Sequence, residues 1–92
     1  MTDAELLVLL KYNLEMISNS FDNYLTHLID VAKLEIAQEG ITLVLTDVLD
    51  CNLVVMYAAY LFQKRKTNEP MSRMLRYALN NRLFKEKMED ES

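Results

Sequence analysis

Apolar residues recur along this chain at helical spacing, and polar punctuation between them divides it into four segments. The clearest segment begins at Phe21, where Phe21, Leu25, Leu28, Ala32 and Ile36 repeat at i, i+4, i+7 intervals up to Gly40, a residue suited to ending a helix. Upstream, Thr2 and Glu5 have the spacing of a capping box and open a short helix through Leu6, Leu7, Val8, Leu9 and Leu10 to about Tyr12. Asn13, Ser18, Asn19 and Ser20 then interrupt the pattern, so residues 1–20 read as an N-terminal helix and linker.

Ile41 to Leu45 has the β-branched and aliphatic character of an extended segment, but no second strand of similar strength exists to pair with it, and it is expected to be a linker. A third helix is expected to start near Thr46 or Asp50, both usable N-caps, and to continue to Lys66. Its ten successive apolar positions from Leu53 to Phe62 leave no polar face, which places it at the centre of the fold or between subunits. Asn68, Glu69 and Pro70 mark the next boundary, with Pro70 tolerated in a first turn. The fourth helix is expected from about Met71 to Lys85, followed by a flexible acidic tail over residues 86–92. The pattern predicts an all-α fold in one domain spanning residues 1–92: a small bundle of about four helices, with a short N-terminal helix and a long apolar central helix.

The fourth helix is unusual in threading basic and amide side chains through aromatic ones. At about 100° per residue, Met71, Met74, Leu75, Ala78 and Leu79 form one apolar stripe, whereas Arg73, Tyr77, Asn80 and Phe84 lie on or near the opposite side. Aromatic and arginine anchors on a second face suggest something to bind. Arg82 projects toward the middle of the apolar stripe, so it must snorkel past the core edge, find a carboxylate, or enter a neighbouring subunit.

Charge distribution favours the last of these. From Met1 to Phe62 there are nine acidic residues against Lys11 and Lys33; from Gln63 to Lys87 there are eight basic residues against Glu69 and Glu86; Glu89, Asp90 and Glu91 follow, for a net charge of -4. Opposite halves of this kind suit nucleic-acid contact, head-to-tail packing of identical subunits, or neutralisation inside each monomer.

Composition narrows the field further. At 92 residues the chain is near the size at which one core gives only marginal stability and assembly supplies the remainder. A hydrophobic content of 51% argues against disorder, and one Gly and one Pro are too few for the turns of an all-β fold. With Cys51 the sole cysteine and no signal peptide at the start, a reducing cytoplasm is expected. The longest apolar run is far short of the roughly 20 residues that cross a bilayer, so no membrane role is expected.

Candidate chemistry is sparse, and no catalytic, cofactor-binding or metal-ligating set is assigned. Gly40 is the only glycine, which rules out a phosphate-cradling loop. His27 falls with Asn23, Thr26 and Asp30 on a polar side, and Cys51 has no identifiable partner base, so it reads as a small buried hydrophobe. Tyr57 and Tyr60 could stack on nucleobases, yet their place in the apolar run makes core packing with a rim-directed hydroxyl the stronger reading. Lys64, Arg65 and Lys66 are possible phosphate or subunit contacts, and a basic cluster in a last turn also answers the helix dipole.

The order Leu53-Val54-Val55-Met56-Tyr57-Ala58-Ala59-Tyr60-Leu61, then Lys64 and Arg65, then Pro70, Met71, Arg73, Met74, Leu75, Arg76, Tyr77, Ala78, Leu79, Asn80, Asn81 and Arg82, resembles the small head-tail connector (adaptor, head-completion) proteins of tailed phages and prophages. The likeness is densest from Asn52 to Phe84; the helix after Phe21, its Gly40 end and the linker from Ile41 to Leu43 resemble the family more weakly. This resemblance implies a non-enzymatic helical subunit that forms a homo-oligomeric ring beneath the portal vertex. It would bind the portal protein on one side and a tail-side neck or stopper protein on the other, and extend the channel through which DNA passes without sequence-specific binding. It would reside in the host cytoplasm during assembly and then in the virion neck. The family's C-terminal docking element falls here on Arg73, Arg76, Tyr77, Asn80, Asn81, Arg82 and Phe84. An alternative from another class is a small helical DNA-binding or regulatory protein of a mobile element, with Lys64, Arg65, Lys66, Arg73 and Arg76 on phosphates.

Overall fold

Helices α1 (Asp3–Asn13), α2 (Asp22–Gln38), α3 (Val48–Thr67) and α4 (Arg73–Asp90) follow one another without any strand among the described residues. They belong to a computed structural model that describes the backbone of residues 2–90 and the side chains of residues 2–89. The fold is all-α, a small bundle of four helices, and the segment from Ile41 to Leu45 is a linker rather than a strand.

Local signals start the first helix as the sequence suggests. The Thr2 hydroxyl accepts from the Glu5 amide at 3.2 Å while the Glu5 carboxylate accepts from the Thr2 amide at 3.1 Å, so two amides left without intrahelical partners are satisfied reciprocally. Gly40 follows the end of α2 at φ 102°, a conformation that L side chains rarely adopt.

Three boundaries differ from expectation. The cap of α3 is Asp47, whose carboxylate accepts from the Leu49 amide at 2.9 Å; Thr46 stays outside the helix and Asp50 turns inward. Pro70 precedes α4 instead of entering its first turn, because the Ser72 hydroxyl accepts from the Leu75 amide at 3.2 Å and starts the helix there. At the other end, α4 continues past Lys85 to Asp90, since the first residue of the expected tail, Glu86, is buried and hydrogen-bonded. Glu91 and Ser92 lie outside the described residues.

Leu6 and Leu10 of α1, Leu25, Ile29, Ala32 and Ile36 of α2, and Val54 and Ala58 of α3 are fully buried together. These three helices pack on one another, and α4 packs on α3, adding Leu75 and Leu79 to the same core. Each such Leu, Ile or Val side chain contributes about 2 kcal/mol through removal from water, and each Ala less. The middle of α3 lies between these layers, and no residue from Leu53 to Phe62 is exposed. The helix is not apolar along its whole length, however: Val48 and Leu49 project into solvent from its first turn, and Gln63 to Thr67 are polar and exposed. Tyr57 is buried, with Tyr60 edge-on at 6.0 Å; burial first, and then the Glu35 carboxylate, push the Tyr57 phenol far up, so it stays neutral.

A Cβ on Gly40 would meet the Leu83 Cδ1 at 3.4 Å, ordinary contact, so the demand at this position is backbone conformation and not space. Gly40→Ala is expected to lower unfolding free energy by about 1–2 kcal/mol with an unchanged urea m-value. A neutral effect would mean that the left-handed turn is not required.

Candidate functional site

Arg82 sits where the helical wheel puts it, against the core, and it is satisfied there by carboxylates of its own chain. Its Nε donates to Asp50 Oδ1 at 2.8 Å, its Nη1 to Glu86 Oε2 at 3.1 Å, and its Nη2 to the Thr42 carbonyl at 2.7 Å. Asp50 is 1% exposed, and its second oxygen accepts from the Val44 amide at 2.8 Å. Glu86 Oε1 accepts from the Thr42 amide at 2.8 Å. One guanidinium thus joins α4, the first turn of α3 and the linker after α2, and the buried charges are paired as a low-dielectric interior demands. Of the three options for Arg82, the structure gives the second: it finds carboxylates of its own chain, Asp50 and Glu86, instead of entering a neighbouring subunit. The same pairing raises the Arg82 pKa, with the Asp50 hydrogen bond as its main cause. Thr42, and after it Arg82, hold the Glu86 carboxyl below its ordinary value of 4.5.

With Arg82, Leu75, Leu79 and Glu86 facing inward, the opposite side of α4 faces water. Met74, Tyr77, Phe84 and Met88 are 58% to 74% exposed, and with exposed Asn81 they recur at alternating spacings of three and four residues. Such spacing places side chains in one seam on a helix surface. Met74 belongs to this seam and not to the core stripe in which the sequence pattern places it; the inward arc is centred on Leu75, and Met74 lies about 100° away. Arg73, Lys85 and Lys87 flank the seam, and none of them makes an ion pair among the described residues. Beside it, an apolar groove of about 310 Å³ runs between α3 and α4, lined by Leu49, Leu53, Met56, Ala78, Asn81 and Lys85.

The residues singled out from sequence therefore part into three groups. Arg73, Tyr77, Asn80, Asn81 and Phe84 are exposed on α4. Arg76 is partly engaged, donating to Glu39 Oε1 at 2.9 Å from a position near the surface. Lys64, Arg65 and Lys66 lie elsewhere, at the end of α3, where Arg65 rests on the rings of Phe62, Phe21 and Tyr24 at 4.4, 5.0 and 5.3 Å. Lys64 is 5.7 Å from the Tyr60 ring and Lys66 5.9 Å from the Phe62 ring. Arg76 and Arg82 also show that part of the acidic-basic division is neutralised within the monomer.

Met88 and Glu86 were not among the candidates because the expected helix stops at Lys85. Continuing the three-four spacing past Phe84 would have found Met88. Nothing local marks Asp50 as the partner of Arg82, 32 residues away.

Among the described residues, no group of three or more His, Cys, Asp or Glu side chains could hold a metal ion, and no helix is long and apolar enough to cross a membrane. His27 is exposed, and Cys51 is buried with its thiol donating to the Leu45 carbonyl at 3.1 Å. Compared with protein-family models, curated proteins and solved structures, the chain matches none of them.

Removing one member of a buried ion pair strands the other. Arg82→Ala is expected to cost about 3–5 kcal/mol in urea unfolding, and a double-mutant cycle with Asp50→Asn should give coupling of at least about 1 kcal/mol. Simple additivity would show that the two side chains do not support each other. Glu86 gives a separate expectation in pH. Its folded pKa lies below its unfolded value, so its contribution is fully present above about pH 4.5 and lost as pH falls through the folded pKa. Acid unfolding of Glu86→Gln should therefore be less steep below pH 4.5 than that of the parent; superimposable acid limbs would contradict the assignment.

Proposed function

We propose that this chain is a non-enzymatic structural adaptor of a tailed-phage or prophage neck, a subunit that joins a portal vertex to tail completion proteins around a DNA channel. The observation that carries this reading is the outward seam of α4, where large apolar side chains lie between cations that make no ion pair among the described residues. Aromatic and apolar anchors within a polar rim are the usual anatomy of a protein interface. The likeness of residues 52–84 to head-tail connectors supplies the biological setting, with Arg73, Tyr77, Asn80, Asn81 and Phe84 as anchors for the portal or for a neighbouring subunit. Arg82, held within its own subunit, instead sets the angle at which α4 is presented. The host cytoplasm during assembly and the virion neck afterwards are the corresponding locations. A net charge of -4 suits a subunit around DNA that must slide, because a strongly cationic lining would retain phosphates.

A DNA-binding regulator is the competing reading, and the engagement of its cations argues against it. Arg65 rests on three rings, Lys64 and Lys66 each lie over one, and Arg76 pairs with Glu39, so four of its five phosphate contacts already have partners.

Co-expression with the portal protein of its own genome should yield a stable complex, and Tyr77→Ala with Phe84→Ala should weaken it at least about tenfold while leaving the thermal melt of the free chain unchanged. Titration with duplex DNA should show little binding at physiological salt. Absence of a portal complex together with DNA affinity that falls steeply with ionic strength would replace this reading by the regulator.

A further inference from the structure

Two exposed surfaces of this chain complement each other in charge, and both are apolar. The first is the α4 seam, Met74 to Met88, which spans about 21 Å at 1.5 Å per residue and carries Arg73, Lys85 and Lys87 beside it. The second is the outer side of α1, where Val8 and Tyr12 are 64% and 84% exposed and Glu5 stands on the same face. Ile17 and Glu15, in the segment that follows the helix, are exposed as well. The only cation of α1, Lys11, is turned away and held by Asp22 at 2.9 Å and Asn19 at 2.7 Å. The outer side of α1 is thus apolar with an acidic border, and the seam is apolar with a basic border.

We infer that α1 of one copy lies along the α4 seam of a second copy, head to tail. At 11 residues, α1 is about 16 Å long and covers most of the seam. The two surfaces belong to different helices, so docking leaves one of each free on the pair, and further copies add in the same direction. A heterologous contact of this kind closes into a ring or continues as a filament. Parallel, in-register pairing of two α4 helices is opposed by Arg73, Lys85 and Lys87, which would face their own kind across the seam. This inference rests on the adaptor reading and specifies which faces of neighbouring subunits meet.

A short bismaleimide cross-linker applied to the full chain tests it, with Tyr12→Cys and Phe84→Cys prepared as separate variants and the parent, whose Cys51 is buried, as control. Both positions are exposed, and thermal melts verify that each variant folds. The expected result at high concentration and low salt is a covalent dimer when the two variants are mixed, and none from either alone. Adding Lys85→Glu and Lys87→Glu to the Phe84→Cys chain should reduce the mixed product about tenfold, as should high salt. Cross-linking of Phe84→Cys with itself would establish symmetric α4 pairing and overturn the inference, and so would a strict monomer with no product in any sample. Portal co-purification with the parent chain separates the two levels. A portal complex without mixed cross-linking defeats this inference and leaves the adaptor reading standing, whereas mixed cross-linking without a portal complex does the reverse.

Discussion

Burial of a single guanidinium decides how this small bundle is arranged. An arginine placed on the inward side of α4 cannot remain there without compensation, since an unpaired buried charge costs several kcal/mol. Asp50, Glu86 and the Thr42 carbonyl supply it together. Each comes from a different part of the chain, so satisfying Arg82 simultaneously fixes the first turn of α3, the linker after α2 and the last turns of α4. Val44 and Thr42 donate their amides into the same cluster, which gives backbone that forms no strand a defined set of partners.

This arrangement determines what the molecule presents to its surroundings. Leu75 and Leu79 give α4 only a narrow apolar contact with the core, and the polar cluster fixes the rotation of the helix about its axis. Once that rotation is set, Met74, Tyr77, Asn81, Phe84 and Met88 must face outward. The apolar seam and the buried ion pair are two sides of one helix, linked by the period of 3.6 residues. A protein of this size would gain stability if such a surface were covered.

Charge acts at two levels. Pairs such as Arg82 with Asp50 and Arg76 with Glu39 join the acidic and basic parts within one molecule, while Arg73, Lys85 and Lys87 keep a basic border on α4 that faces solvent. The cations at the end of α3 behave differently again, because aromatic rings from α2 and α3 lie beneath Arg65. Net charge over a segment therefore says little about which cations are available to a partner.

Helix identity was legible from residues alone wherever the governing interaction was local. The Thr2–Glu5 box, the spacing of Phe21 to Ile36, the stop at Gly40 and the inward placement of Arg82 all depend on neighbours within a few turns, and periodicity records such relations directly. The partner of Arg82 and the extension of α4 to Asp90 depend on contacts between residues more than 30 positions apart. Those relations leave no local pattern: Asp50 resembles any N-cap and Glu86 any residue of an acidic tail until folding brings Arg82 between them. Sequence by itself determined the four helices and the side of α4 that must meet the core. Tertiary structure decided which carboxylates satisfy the arginine, and so which side chains of α4 remain exposed, because burying a charge selects its partners by proximity in space.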